Sequence, residues 1–196
     1  MAWSRRQFTI TCASSVVLGA DALTAAEPEL APPPTPVPVE PPFVRDYPKP
    51  SFTPSWRRSP LPRLLVQDFV IFAHSDLPMV QRLLTRQPAL VNATIDWGGG
   101  DWESALGAAS HMGRRDIAEY LLAHGARIDI FCATMMGLID VVKTFLTLQP
   151  ALIDAKGPHG FTLHFHAQLA DDGGKILDFL QSIKKVDLPP NPFRKK

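Results

Sequence analysis

Three histidines near the C-terminal end of the chain, His159, His164 and His166, are the residues whose types most directly suggest chemistry. In an extended strand, residues two apart project on the same side, so His164 and His166 would be placed to chelate zinc or copper. On a helix the same two side chains diverge by about 200° and form a poor pair of ligands. A metal site at these histidines therefore requires that the segment be a strand.

A second candidate is the segment 95–103, in which Trp97 and Trp102 flank three consecutive glycines and the acids Asp96 and Asp101. Glycine-rich loops can bind phosphate, but no Lys-Ser or Lys-Thr pair follows this one, and acidic residues surround it. Aromatic side chains on a loop are typical of protein interfaces. We expect Trp97, Asp101 and Trp102 to contact a partner protein, with a plain turn as the alternative.

The sequence shows no catalytic arrangement, which indicates a protein that is not an enzyme. Cys132 lies in an apolar run and is expected to be a buried thiol. Asp171 and Asp172 precede two glycines, where paired acids serve as helix caps. No nucleophile elbow, zinc motif or dinucleotide fingerprint occurs, so we predict no catalytic residue, no cofactor and no metal ligand.

The composition is that of one moderate domain with a hydrophobic core. The chain has 196 residues, of which 45% are hydrophobic, and its formal net charge is +1. The basic residues are scattered, which gives no electrostatic footprint for binding nucleic acid. The two cysteines are Cys12 and Cys132, so removal of an N-terminal segment would leave one thiol and no intrachain disulfide.

The N-terminal segment 1–26 resembles a twin-arginine (Tat) signal peptide. It carries SRRQF at residues 4–8, where Arg5, Arg6 and Phe8 hold the signature positions, then a modestly apolar stretch and a small-residue end. The stretch is too short and too polar for a stable membrane span, which needs about 20 apolar residues. The resemblance implies a bacterial protein that the Tat translocase exports, with a periplasmic or secreted location.

Two irregular segments flank the predicted domain. Residues 27–62 are rich in proline, which blocks helix and favours extended polyproline II, so we expect a spacer. Two alternatives remain open: a ligand for a proline-recognition domain, or a cap in which Phe52, Trp56 and Leu61 cover the first folded element. Residues 184–196 contain three prolines and are expected to form a frayed tail.

From Leu64 onward the sequence repeats itself. The segment 83–93 reads LLTRQPALVNA and returns at 145–155 as FLTLQPALIDA, and such self-similarity indicates a stacked array of short units. The segment 104–129 reads SALGAASHMGRRDIAEYLLAHGARID. It resembles the ankyrin repeat, whose pattern is T-P-L-H-x-A-A-x-x-G-H-x-x-V-V-x-x-L-L-L-x-x-G-A. The family pattern is held by Ser104, Ala105, Leu106, Ala109, Ser110, Gly113, Ile117, Ala118, Leu121, Leu122, Gly125 and Ala126, whereas Gly107 replaces the family's histidine.

The ankyrin resemblance implies an all-α fold over residues 63–183, a solenoid of about four helix-turn-helix repeats with short β-hairpin fingers. A finger with an enlarged tip is expected over 92–104. Gly113 and Gly137 stand only 24 residues apart, where a full repeat period is about 33, so the third repeat should follow a bare turn at Asp129. The resemblance also implies that His164 and His166 lie at the start of a helix, which argues against a metal site there.

The ankyrin pattern has a glycine in the middle of each repeat, and Ser75, Gly113 and Gly137 hold this position here. The family register implies that the two residues before each of these positions face the concave row of first helices, where ankyrin stacks bind partners. These residues are Ala73, His74, His111, Met112, Met135 and Met136. Methionine offers an adaptable apolar contact surface, so we expect the histidines and methionines of this row to contact a partner. The alternative is internal packing, chiefly for Met135 and Met136, because their finger is missing.

These features together predict an exported ankyrin-repeat protein that mediates protein–protein interaction in the periplasm, as an adaptor or accessory factor for another exported protein. The alternative is a small-molecule or metal-binding accessory protein, which depends on the histidines and methionines of the row. An enzyme with a cofactor is suggested only by the export signal.

Overall fold

The structure is a computed structural model that describes residues 42–52, 55 and 58–193. The chain divides into two compact units, residues 1–53 and residues 54–196. Helices and strands occur only in the second unit among the residues described. The second unit therefore holds every element that positions a candidate site.

In the first unit, the described residues 42–52 are exposed and contain neither helix nor strand. The export signal predicted over residues 1–26 lies outside the described residues, and so does Trp56. Leu61, in the second unit, packs against the hydrophobic core. Leu61 thus extends that core by one side chain beyond the first helix.

The second unit is mostly helical, which confirms the helical class predicted from the sequence. Its helices are α1 Arg63–Ala73, α2 Leu77–Arg86, α3 Ala105–His111, α4 Arg115–Ala123, α5 Ile130–Met135, α6 Ile139–Leu148, α7 Leu163–Ala167 and α8 Lys175–Ile183. Its strands are β1 Thr94–Asp96 and β2 Trp102–Ser104, which form one antiparallel hairpin. No helix in the described part of the chain has the length and apolarity needed to cross a membrane.

Polar side chains fix the residues at which α3, α5 and α7 begin. Ser104 Oγ accepts a hydrogen bond from the Gly107 N–H at 3.1 Å, and Thr162 begins α7 in the same way. Asp129 begins α5 by accepting from the Cys132 N–H at 2.7 Å. Such N-caps typically contribute about 1 kcal/mol each and specify the first residue of a helix. These caps therefore set the first residues of α3, α5 and α7.

The odd-numbered helices form a row in which α1 contacts α3, α3 contacts α5, and α5 contacts α7. Each of them also packs against the even-numbered helix that follows it. The small side chains of Ala105, Ala108 and Ala109 are completely buried, which allows the helices beside α3 to approach closely. The buried side chains form two clusters, one mainly from α1 to α4 and the other from α5 to α8.

The connections between helix pairs differ from one another. A hairpin precedes α3, within the segment 92–104, whereas no strand lies between α4 and α5 in this described part of the chain. Both the hairpin and the bare turn that the sequence spacing predicts are present. The repeated Gln-Pro-Ala-Leu segments each form a short 3-10 helix, Pro88–Asn92 and Pro150–Asp154, after the preceding α-helix has ended.

The prediction of a frayed C-terminal tail is wrong for residues 184–193. The Gln181 side chain donates to the Val186 carbonyl at 2.7 Å and accepts from the Val186 N–H at 2.8 Å. Asn191 is only 8% exposed, and its Nδ2 donates to the Phe165 carbonyl at 3.1 Å. The tail therefore packs along α7, because its polar groups find partners there despite the prolines.

Candidate functional site

The β-hairpin presents two faces of different character. Ile95 pairs with Glu103, and Asp96 pairs with Trp102. Successive strand residues point to opposite faces, so Ile95 and Glu103 lie on the inner face, where they are 4% and 1% exposed. Trp102 lies on the outer face and is 60% exposed. The hairpin thus carries a buried carboxyl group on one face and an exposed indole on the other.

The glycine run of the hairpin forms a tight turn. Asp96 Oδ1 accepts hydrogen bonds from the N–H groups of Gly98 and Gly100 at 2.8 and 3.1 Å. Gly98, Gly99 and Gly100 all have positive φ, which glycine adopts without steric cost. Two N–H groups that a phosphate would need are therefore already bonded to Asp96, in agreement with the turn interpretation.

Four side chains from different elements meet under the inner face. His74 follows the last residue of α1, Glu103 is in β2, His111 ends α3, and His159 lies in the short 3-10 helix Pro158–Gly160. One possible ligand atom from each lies within 4.8 Å of the others. We call these four residues the His/Glu cluster.

The Glu103 carboxyl group is the centre of the His/Glu cluster. Its Oε2 accepts a hydrogen bond from Trp97 Nε1 at 2.7 Å, and the same oxygen lies 3.7 Å from His74 Nε2 and 3.5 Å from His159 Nε2. Its Oε1 lies 3.2 Å from His111 Nδ1. Every histidine of the cluster therefore turns a ring nitrogen towards this one carboxyl group.

Two of the histidine rings are oriented by hydrogen bonds at their other nitrogen. His159 Nδ1 lies 2.9 Å from Asp101 Oδ2, and the His159 N–H donates to Asp101 Oδ1 at 2.8 Å. His74 Nδ1 lies 2.9 Å from the Val70 carbonyl oxygen. A carbonyl or carboxylate oxygen only accepts, so Nδ1 must carry a proton in both rings, and any lone pair that either ring has must be on Nε2.

The surroundings keep both carboxyl groups of the site ionised. Burial raises the pKa of Glu103, but the neighbouring His111 and Trp97 side chains outweigh it, and the pKa lies below its ordinary value. The hydrogen bond from the His159 backbone lowers the pKa of Asp101. The cluster therefore combines one buried carboxylate with three imidazoles.

Close packing brings the loop that carries His159 to the hairpin. A Cβ at Gly107 would lie 3.3 Å from Pro158 Cγ, and one at Gly157 would lie 3.2 Å from the Phe131 ring. His159 itself has φ 57°, a left-handed conformation that is uncommon outside glycine. The absence of a side chain at Gly107 thus leaves room for this loop.

The structure brings together four of the residues that the sequence predicts as partner contacts. His74 and His111 belong to the His/Glu cluster, while Trp97 and Asp101 hydrogen-bond to cluster members. Trp102 lies apart from the cluster, on the outer face of the hairpin. These side chains are therefore divided between an interior site and an exposed surface.

The methionines of the predicted row do not lie together on an exposed surface. Met112 and Met136 are half-buried, and Met135 is 1% exposed within the hydrophobic core. Met135 is buried because α5 packs directly between α3 and α7. Met135 therefore offers no surface to a partner, and the alternative expectation, internal packing, is the correct one for this residue.

His164 and His166 form no pair with each other. They are buried on α7, where His164 Nε2 bonds to the Lys184 carbonyl at 2.9 Å and His166 Nδ1 to the Thr162 carbonyl at 2.8 Å. Cys132 is completely buried, as the sequence predicts, and burial raises the pKa of its thiol to about 12. None of these groups reaches the cluster.

Sequence reasoning missed Glu103 and the position of His159. A signal for Glu103 exists, because an acid between two outward-facing strand residues must point inward, towards the end of the following helix. No local signal exists for His159, because its loop meets the hairpin only where a finger is missing between α4 and α5. His159 contacts Asp101, which is 58 residues earlier in the sequence.

No protein-family model, no curated protein and no solved structure matches the chain. The geometry of the hairpin and of the His/Glu cluster is therefore the basis on which a function is assigned.

Proposed function

We propose that this protein is an exported ankyrin-repeat interaction module, which binds another exported protein in the periplasm as an adaptor or accessory factor. The row of odd-numbered helices, each packed against the helix that follows it, supports a repeat arrangement. The hairpin before α3 supports it further, since fingers of this kind carry partner contacts in the family that the sequence resembles. The twin-arginine pattern supports export.

The exposed Trp102 on a pre-ordered hairpin carries the proposal. Its indole is 60% exposed, although tryptophan is usually well buried. The turn behind it is fixed by the bonds to Asp96, and Asp101 is fixed by its two bonds to His159. Tryptophan dominates many protein interfaces, and a rigid loop loses little conformational entropy on binding.

A cleft beside Trp102 could receive a side chain of the partner protein. It has a volume of about 390 Å³, and its lining includes Trp102, Asp129, Phe131 and Lys156. The aromatic rings supply apolar contact area, while Lys156 supplies a positive charge. This combination suits a protein segment that inserts one apolar side chain and pairs polar groups around it.

Site-specific photo-crosslinking in the exporting cell tests the proposal. A photoreactive amino acid at position 94, on the same outer face of the hairpin, leaves Trp102 in place and should give one discrete crosslinked protein, which Trp102→Ala should abolish. The matched control is the same amino acid at position 148, because Leu148 is also an exposed residue, 80% exposed, but lies at the end of α6. The absence of a product at 94, its persistence in Trp102→Ala, or the same products at both positions would contradict the proposal.

A further inference from the structure

We infer that the His/Glu cluster binds one divalent transition-metal ion through the three imidazoles and the Glu103 carboxylate. This site goes beyond the proposed protein interaction, since it lies on the inner face of the hairpin, away from Trp102. It uses neither His164 nor His166, and it shares His74 and His111, but no methionine, with the metal-binding alternative based on the row.

The orientation of the imidazole rings is the first argument. In the neutral rings of His74 and His159 the Nδ1 proton is committed to Val70 and Asp101, so both Nε2 lone pairs face Glu103 Oε2. Lone pairs that converge on a carboxylate oxygen at 3.5 and 3.7 Å repel one another. A cation bound between the two nitrogens and the carboxylate oxygen would remove this repulsion, because each lone pair would then coordinate the ion.

Two buried atoms without hydrogen-bond partners are the second, independent observation. Glu103 Oε1 and His111 Nδ1 are both buried and lie 3.2 Å apart, where they can pair only if Nδ1 carries a proton, and neither atom has any other hydrogen-bond partner. Buried polar atoms of the side chains of folded proteins are nearly always hydrogen-bonded, because a buried polar atom without a partner has lost its bonds to water and gained none in exchange. Both atoms point into the cluster, where an ion would satisfy them together.

The spacing of the atoms fits a first-row ion. Nitrogen and oxygen ligands lie about 2.0–2.2 Å from zinc, so two neighbouring ligands of a tetrahedral site are about 3.4 Å apart. The three distances between histidine nitrogens and Glu103 oxygens, 3.2, 3.5 and 3.7 Å, bracket this value. The most separated ligand atoms, up to 4.8 Å apart, would approach each other by about 1.4 Å on binding.

A supporting shell of hydrogen bonds is already in place. Asp101 orients His159, the Val70 carbonyl orients His74, and Trp97 orients Glu103. Partners of this kind fix the tautomer and direction of metal ligands in known sites, and their loss typically weakens metal affinity 10- to 100-fold.

The donor atoms define the class of metal. Three imidazole nitrogens and one carboxylate oxygen suit Zn²⁺, Co²⁺, Ni²⁺ or Cu²⁺. They do not suit Cu⁺, which prefers thiolate and thioether sulfur, or Ca²⁺ and Mg²⁺, which prefer ligands made only of oxygen. Cys132 and Met135 are buried elsewhere in the core and supply no sulfur to the cluster.

The alternative occupants of the cluster are protons. If the imidazole rings were protonated, they would pair with the Glu103 carboxylate without a metal, and the protein would then show no saturable metal binding. Metal titration therefore separates the two explanations.

The test is a titration of the full-length chain, stripped with a chelator, with Co²⁺ monitored by visible absorption and with Zn²⁺ monitored by calorimetry. The expected result is saturation at one ion per chain, with ligand-field bands of a nitrogen- and oxygen-coordinated ion. Glu103→Gln and His159→Gln should each weaken binding by roughly 100-fold or more, since both remove a direct ligand.

Three controls make the titration decisive. His124→Gln, which alters an exposed histidine outside the cluster, should bind as tightly as the wild type, and so should Trp102→Ala. Circular dichroism must show that each variant is folded, and His159→Gln, in an exposed loop, keeps the test valid if Glu103→Gln is unstable. No saturable binding by the folded wild type, or wild-type affinity in both folded cluster variants, would overturn the inference.

Discussion

His166 is a histidine whose charged form the folded protein disfavours. It is completely buried on α7, and burial lowers its pKa to about 4. Its Nε2 is a buried nitrogen without a hydrogen-bond partner, while Nδ1 is bonded to the Thr162 carbonyl. An unfolded chain has the ordinary histidine pKa of about 6.5, so between these two values the unfolded state binds more protons than the folded state.

The free energy of unfolding should therefore fall as the pH is lowered from about 6.5 to about 4, by up to about 3 kcal/mol from this residue. Above the unfolded pKa the stabilising effect of the neutral ring is complete. Urea unfolding across this pH range measures the change. His166→Leu should flatten the dependence by that amount, and an unchanged dependence would show that His166 is not responsible.

Cys132 should behave as an inert thiol in the folded protein. It is completely buried, and burial raises its pKa to about 12, so almost no thiolate exists at neutral pH. In a Cys12→Ser chain, a thiol reagent should react only after denaturant is added. Stoichiometric reaction without denaturant, on the timescale of an exposed cysteine, would contradict this burial.

The sequence predicts single residues well where burial follows from local pattern. Cys132 sits in an apolar run on a helix, and its burial follows from that run. The expectation that His74 and His111 lie on one row comes from the register of the ankyrin pattern that the sequence resembles. Glu103 was missed because its direction depends on strand register, and His159 because its contact depends on the path of a distant loop.

At the scale of elements, the hairpin and the loop around His159 position one another. The hairpin turn contributes Asp101, which makes two hydrogen bonds to His159, and the loop approaches α3 over Gly107. The spacing of Gly113 and Gly137 predicts that a finger is missing. It does not predict which element comes to lie beside the hairpin, because that depends on packing between distant helices.

Gly157→Ala tests this placement. The added Cβ would lie 3.2 Å from the Phe131 ring, while the backbone conformation at φ −80° is allowed for alanine, so the effect is steric. We expect a loss of about 1–3 kcal/mol in stability, and weaker Co²⁺ binding as His159 moves. Thermal unfolding and the Co²⁺ titration measure the two effects.

A second substitution serves as the control for this prediction. Phe131→Leu in the Gly157→Ala background provides space for the new methyl group and should recover most of the Co²⁺ affinity. If Gly157→Ala binds Co²⁺ like the wild type, the loop does not set the position of His159.

At the scale of the whole molecule, the predicted export signal lies in a segment outside the described residues. The Arg5→Lys, Arg6→Lys double variant should accumulate as precursor in the cytoplasm of a bacterium with a Tat pathway, because the signature requires both arginines. Cell fractionation with immunoblotting measures this. The matched control replaces the adjacent pair Arg57 and Arg58 of the linker with lysine and should be exported normally; equal export of both variants would contradict a Tat signal.

The ligands of the His/Glu cluster link parts of the chain as far apart as His74 and His159, from α1 to the loop before α7. A metal ion there would bind only the folded protein, so saturating Zn²⁺ should raise the unfolding temperature of the wild type. The same addition should leave His159→Gln almost unchanged. This assay reports on the folded molecule as a whole, independently of any partner.

The most direct test of the central claim, that the inner face of the hairpin is a metal centre, is the metal content of the protein as the cell makes it. The wild type and Glu103→Gln would be isolated under identical conditions without added metal or chelator and analysed by mass spectrometry for first-row metals. We predict about one ion per wild-type chain and a content near zero in the variant. A wild type without metal, or a variant with the same content, would contradict the claim.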